Sequence, residues 1–290
     1  MITSNFSGNL GNSLIQYLIA RIVADKNGYE FGFNPQFNYD YHGGYNQLDF
    51  LALDYGKQHN ATFHQNPDGI YNIWYEKFDH INYPNGDSVD YHPYQPDIWK
   101  VPDGSKLVIR CCQDENYFQD YKEKIITWLQ YKQEFEEKID YYLFSNKIFL
   151  GEDTCVINVR GGAEYKSLSA VLLQRKYWGD AINLMIQKNS GMKFLCITDD
   201  VPYGKELFGD LIPVLHINIG GDYYVINHAK NLIISNSSFA IIPTWTNHFN
   251  PYVIAPFGWA RYNTTDGKYW ASSDIKTFGW NFLDREGNLS

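Results

Sequence analysis

Four short stretches of the chain carry residue types suited to a phosphorylated ligand. In Asn158-Val159-Arg160-Gly161-Gly162 an apolar run delivers an arginine. Its planar guanidinium donates paired hydrogen bonds and keeps its charge, as recognition of a diphosphate requires, and a structural salt bridge would use the same residue. Thr198-Asp199-Asp200 closes a second apolar run. Its carboxylates could accept bonds from a base or ribose, hold a divalent cation, or cap a helix. Gly8-Asn9-Leu10-Gly11-Asn12 opens a helical pattern, and its glycines would let backbone N–H groups approach an anion. The spacing is neither the dinucleotide fingerprint nor a phosphate loop ending in Lys-Ser/Thr, so an ordinary strand-to-helix turn stays open. Ser235-Asn236-Ser237-Ser238-Phe239 offers hydroxyls and N–H groups at a helix start, again a place for phosphate.

A proton acceptor is less marked. Asp40, His42, Glu76, Asp79 and His80 fall in a stretch rich in Tyr, Asn, Gly, Pro and His, and Asp114 and Glu115 follow a strand-like run. Each reads first as a surface or turn residue; His42, beside Gly43-Gly44, is the one retained as a candidate general base. Trp259, Tyr269-Trp270, Phe278-Gly279-Trp280 and Phe282 could shelve a sugar by stacking or could pack internally.

The elements that must position these groups can be read from periodicity. Leu14, Ile15, Leu18, Ile19, Ile22 and Val23 recur at helical spacing, predicting a helix from Gly11 to Lys26 between a short strand before Ser7 and a strand over Tyr29–Phe33. Residues 34–103 have weak periodicity and read as a long irregular region of functional interest. Lys106–Cys112 reads as a buried strand and Tyr121–Phe144 as one or two long helices. Then strands (Thr154–Val159, Lys193–Thr198, Leu232–Ile234, Tyr252–Ile254) alternate with helices (Arg175–Ile186, Asp222–Asn231). Such alternation implies right-handed βαβ units and parallel sheets, whose ligands lie beyond the carboxyl ends of the strands. The expected fold class is α/β, with an acceptor-side half over residues 1–150 and a nucleotide-sugar-binding half over 151–290.

Composition narrows the classes. A net charge of −9 argues against a nucleic-acid partner, because no basic stripe is available to neutralise a phosphate backbone. No apolar run approaches the ~20 residues of a membrane helix. The polar, glycine-bearing start lacks a secretory pattern, so a cytoplasmic protein is expected. The 4 cysteines, with Cys111 and Cys112 adjacent and Cys155 and Cys196 in strand-like runs, read as reduced core thiols. Aromatics at 17% suit sugar surfaces, and a biased codon usage would enrich Tyr and Asn equally.

Taken together, the stretches resemble glycosyltransferase family 11, the α-1,2-fucosyltransferases. Ser7 through Tyr17 is similar to the family's Gly-x-Leu-Gly-Asn-Gln-x-x-Gln-Tyr opening, and Gln113 through Phe118 to its Gln-x-x-x-Tyr-Phe stretch. Asn158-Val159-Arg160 stands where the family has His-x-Arg. Ile197 through Asp200, the run Asp222 to Phe239, and Ile254-Ala255-Pro256 with Trp259 resemble its later motifs. The resemblance implies a GT-B-like fold of two facing Rossmann-like halves and an inverting, metal-independent transfer of fucose from GDP-fucose to a glycan hydroxyl, with no cofactor. By it Arg160 would bind the diphosphate and stabilise the leaving group, Ser237 and Ser238 would contact phosphates, Gly11 and Asn12 would approach from the first half, and Asp199 or Asp200 would lie near the nucleoside. Gly8, Asn9, Leu10, Asn158, Thr198, Asn236 and Phe239 complete the expected donor-binding set. The sequence departs from the family at Asn158, at Gly161-Gly162-Ala163-Glu164-Tyr165 in place of an Arg-Gly-Asp-Tyr-like run, and at Ala240-Ile241-Ile242-Pro243 in place of Ser-Trp-Trp. Another nucleotide-sugar therefore stays open, as do a metal-dependent transferase using Asp199 and Asp200 and a noncatalytic carbohydrate-binding protein.

Overall fold

Leu10–Asn27 forms the first helix, α1, because its apolar residues meet the core on nearly every turn, and it stops where Gly28 adopts a left-handed conformation (φ 69°) and its N–H returns to Asp25 O. It follows the short strand β1 (Thr3–Ser4). The computed structural model describes residues 1–36, 39, 43–62, 64–82, 88–167, 171–257 and 279–289. These divide into two compact units, Met1–Phe135 and Glu136–Ser290.

In the first unit, β2 (Asn72–Tyr75) precedes a hairpin of β3 (Asp79–Asn82) and β4 (Ser88–Tyr91), and β5 (Ser105–Val108) lies between β1 and β2 in a parallel sheet of order β1-β5-β2. The irregular region thus supplies an edge strand that its weak periodicity conceals. The strand expected over Tyr29–Phe33 does not form as a ladder. Phe31 bridges Ile2 in parallel while Gly32 bridges Gly56 antiparallel, so the segment changes partner after one residue. The helical stretch after Tyr121 is broken into α2 (Lys122–Trp128) and α3 (Gln133–Ser145). The break lies where the Gln130 carbonyl accepts from Ala52 N–H, Tyr131 bridges Leu51, and Lys132 N–H donates to Phe50 O. Most of α3 belongs with the second unit, which begins at Glu136 and where Tyr224 Oη donates to Asp140 Oδ1 (2.7 Å).

The second unit contains β6 (Thr154–Val159), α4 (Ala163–Lys166), α5 (Arg175–Lys188), β7 (Lys193–Thr198), α6 (Val201–Phe208), β8 (Val214–Leu215), α7 (Ile219–His228), β9 (Asn231–Ile234), α8 (Ser238–Trp245), β10 (Tyr252–Pro256) and β11 (Asn281–Leu283). Its described residues form a six-stranded, all-parallel sheet in the order β11-β10-β9-β6-β7-β8. Counted from β6, this is the doubly wound order 3-2-1-4-5-6, with the direction of winding reversing between β6 and β9. All six residues of β6 are buried, as a central parallel strand covered on both faces requires. Cys155, Ile157 and Val159 on one face pack with Tyr177, Trp178, Ala181 and Met185 of α5. Each large apolar side chain so buried contributes about 1.5–3 kcal/mol. Helix α7 begins upstream of the expected Asp222, because the Asn218 side chain accepts from Gly221 N–H and caps it there; it ends early because Asn231 is already in β9. All four cysteines are buried and reduced. Among the described residues no helix is long and apolar enough to cross a membrane.

Candidate functional site

The carboxyl edge of the six-stranded sheet gathers Arg160 after β6, Asp199 and Asp200 after β7, His216 after β8, and Ser235 through Ser238 after β9. Arg160 and the Ser235–Ser238 turn thus flank the point where the strand order reverses, the place at which open α/β sheets leave a crevice for ligands.

Arg160 is partly buried, its side chain 23% exposed. Its Nη1 donates to Asp199 Oδ2, its Nη2 reaches Glu164 at 3.4 Å, and its guanidinium lies 5.3 Å from the centre of the Tyr165 ring. Asp199 Oδ1 also accepts from Gly161 N–H at 2.9 Å. The two glycines after Arg160 are there for space: a Cβ on Gly161 would run into the Tyr203 ring, and one on Gly162 would lie 2.7 Å from Asp199 Oδ2. This explains locally why the chain departs from the family resemblance here. The loop must let the β7 carboxylate come close.

Asp200 caps α6 by accepting from Tyr203 N–H (2.9 Å) and is paired with Lys166 Nζ (2.6 Å), which holds its carboxyl below the usual range. Thr198 Oγ1 accepts from Asp200 N–H at 3.1 Å, so this residue shapes the turn. Both aspartates therefore have cationic or N–H partners. Among the described residues no cluster of three or more metal-ligating side chains occurs.

Of the other expected residues, Asn158 is buried and accepts from Ser235 Oγ (3.0 Å), tying β6 to β9 across the reversal point. Asn236 is buried; its Nδ2 donates to Val171 O (2.8 Å), and its Oδ1 is buried with no hydrogen-bond partner among the described residues. Ser237 Oγ accepts from Phe239 N–H (3.3 Å) as the cap of α8. Phe239 stands edge-on to Tyr223, with ring centres 6.4 Å apart.

In the first unit, the residues after β1 lead into α1 through Gly8, which takes φ 78°, a region that favours glycine. Asn9 sits at the helix cap without a side-chain capping bond and is exposed. Leu10 is 1% exposed, so its side chain serves the core and only its backbone remains for a ligand. Gly11 lies within the first turn of α1. Asn12 Oδ1 accepts from Gln113 Nε2 (3.2 Å). Gln16, inside the motif that carries the resemblance, fixes this turn: its Oε1 accepts from Ser7 N–H (2.7 Å) and its Nε2 donates to Ile109 O (3.1 Å). His42, Asp40, Trp259, Tyr269, Trp270 and Phe278 lie outside the described residues.

Sequence reasoning missed three features. Glu76, at the end of β2, is no general base: its buried carboxylate accepts from the N–H groups of Arg110 (2.6 Å), Cys111 (2.7 Å) and Cys112 (2.8 Å), with His92 Nδ1 at 3.2 Å. Burial alone would push its acidity down, but His92 and the two cysteine amides outweigh that and hold its pKa below the usual value. Tyr165 is buried, and its hydroxyl donates to Asn236 O (2.9 Å), linking the loop after β6 to the turn after β9. His216 Nδ1 stands 2.6 Å from Asp222 Oδ2, and burial raises the Asp222 carboxyl to about 6. The rule that site residues follow strands would have found His216, but β8 spans only Val214–Leu215, too short for periodicity to reveal.

No family model matches the chain. Among solved structures the fold is similar to that of POFUT1: the apo form aligns with a TM-score of 0.53 and 9% identity over 88% of this chain and 97% of that one. The complex of POFUT1 with GDP-fucose aligns with a TM-score of 0.51 and 10% identity over 95% and 97% of the two chains. The fold is thus that of GT-B glycosyltransferases. Among curated proteins the sequence is similar to the alpha-1,2-colitosyltransferase of Escherichia coli, 25% identical over 280 residues, 89% of this chain and 92% of that protein.

Proposed function

We propose that the protein transfers a deoxyhexose, with fucose the first candidate, from a GDP-linked donor to a glycan hydroxyl by a single displacement with inversion and without a metal ion. The observation that carries the reading is Arg160 at the carboxyl end of β6, across the strand-order reversal from the hydroxyl-bearing Ser235–Ser238 turn. Departure of GDP leaves charge on the diphosphate. A guanidinium beside helix-start N–H groups can spread that charge, and such preorganised donors contribute most where they act on charge developing in the transition state. Asp200, after β7, stands where a doubly wound fold meets the ribose. The acceptor hydroxyl must lose a proton, and His42 is our candidate for taking it. The resemblance to family 11 and the GDP-fucose complex of a fold relative both support the donor. The colitosyltransferase likeness favours a second donor of the same kind, GDP-colitose. Four buried, reduced thiols fit a cytoplasmic setting.

The test is donor-induced thermal stabilisation and hydrolysis with GDP-fucose, GDP-colitose, GDP-mannose and UDP-, dTDP- and CMP-linked sugars, each with and without EDTA. Selective stabilisation and turnover with a GDP-deoxyhexose, unchanged by EDTA, is the expected outcome. A UDP-sugar response abolished by EDTA would overturn it in favour of a metal-dependent enzyme, and sugar binding without any donor response would mark a carbohydrate-binding protein.

A further inference from the structure

The carboxylate of Asp199 is used on both oxygens, and both uses serve Arg160. Oδ2 accepts from the guanidinium Nη1, and Oδ1 accepts from the N–H of Gly161, the residue directly after the arginine (2.9 Å). One side chain therefore fixes the backbone turn that carries Arg160 and the plane of its head group. The other neighbours complete the cradle. The Tyr165 ring lies 5.3 Å beneath the guanidinium, and Glu164, with its side chain 65% exposed, is a looser contact at 3.4 Å. Gly162 leaves the room the carboxylate needs, since a Cβ there would come within 2.7 Å of Oδ2. The side chains of Arg160 and Asp199 are only 23% and 29% exposed, so their attraction is less screened than that of a surface pair. A guanidinium carries five N–H donors, so the bond to Asp199 leaves others for an incoming anion.

We infer that Asp199 is a positioning residue for Arg160, holding the guanidinium in its diphosphate-facing arrangement, and not a contact to the nucleoside. The inference rests on the donor reading above. A flexible arginine would have to be ordered during the reaction, whereas one already clamped stabilises the leaving group without that reorganisation.

The experiment is steady-state kinetics of Asp199→Asn with the GDP-sugar donor, together with calorimetric titration of GDP. The asparagine has one acceptor oxygen, so if it keeps the bond from Gly161 N–H it turns its amide NH2 toward the guanidinium. The expected result is a fall in kcat on the order of 10-fold or more with KM for the donor changed less than about threefold. In an Arg160→Ala background the same substitution should have little further effect, because two residues acting as one unit are not additive. Gly162→Ala gives a second route, since its methyl displaces the carboxylate at a residue whose φ of −60° suits alanine; the same loss of kcat is expected. Weaker GDP binding and a raised KM with unchanged kcat would instead make Asp199 a nucleoside contact. Wild-type kcat in both variants would reduce the pair to a structural salt bridge. Either outcome overturns the inference while leaving the donor reading intact, whereas a wild-type protein inert toward every GDP-sugar overturns both.

Discussion

The two units partner the polar groups at the carboxyl edges of their parallel sheets in different ways. After β1, β2 and β5 of the first unit, almost every polar group is spent on the chain itself. Asn5 and Gln16 tie the end of β1 to Ile109, Gln113 meets Asn12, and Glu76 gathers three successive amides around Cys112, a non-glycine residue at φ 44°. After β6, β7 and β8 of the second unit the titratable groups are paired with one another: Arg160 with Asp199 and Glu164, Lys166 with Asp200, and His216 with the buried Asp222. A buried carboxylate ringed by amides is a fixed scaffold, because removing any partner leaves a costly unsatisfied group. A partly exposed arginine keeps N–H donors beyond those its carboxylate partner uses, and these can receive another anion. The difference teaches where a charged ligand is received and where a surface is merely held in shape.

Three substitutions would break or sharpen that contrast. The largest effect is expected from Arg160→Ala, which should lower kcat by ~10²-fold or more, about 3 kcal/mol of transition-state stabilisation, with the fold intact by circular dichroism. Full activity in a folded variant would remove Arg160 from the chemistry. Next, Glu76→Gln should act on stability, costing about 2 kcal/mol in denaturant unfolding, since the amide keeps an acceptor but loses the charge-assisted bonds.

That variant also carries a pH signature. The folded-state pKa of Glu76 is depressed below its ordinary value near 4.5, so its contribution is full above that value and is lost as pH falls through the folded pKa. Wild-type protein should therefore lose thermal stability more steeply than Glu76→Gln on acidification below about pH 4.5; parallel curves would show that the carboxylate is not ionised in its cradle. The smallest effect is expected at Ser237, whose hydroxyl caps α8: Ser237→Ala should cost about 1 kcal/mol of stability. A large loss of donor affinity beyond that cost would mark the hydroxyl as a phosphate contact as well.

The second unit was far more legible in the sequence than the first. Thr154–Val159 and Lys193–Thr198 read directly as strands because each is a dense apolar run, the first buried throughout and the second buried from Leu195 onward, and the residue after each is where such a sheet faces its ligands. The first unit hid β2 in a Tyr- and Asn-rich stretch. There Ile73 and Tyr75 are exposed on an edge strand, so no burial pattern marks it. Within the site, their places after strands mark Arg160 and Asp199 separately, and nothing local marks their partnership. Glu76 was weighed as a base, although its amide cradle makes it a brace.

The sequence alone determined what depends on neighbours in the chain: the alternation of strands and helices, the helix read over Gly11–Lys26, and the residue types presented at each strand end. Tertiary structure decided what depends on distance along the chain. The doubly wound strand order, the reach from Arg160 to Asp199 over 39 residues, and that from Cys112 to Glu76 over 36 are set by how the elements pack. Local periodicity reports which face of an element is buried and cannot report what it is buried against. For that reason the same acidic residue type could be read from sequence as base, metal ligand or cap, and only the packed fold made Asp200 a helix cap, Glu76 an amide cradle and Asp199 the partner of an arginine.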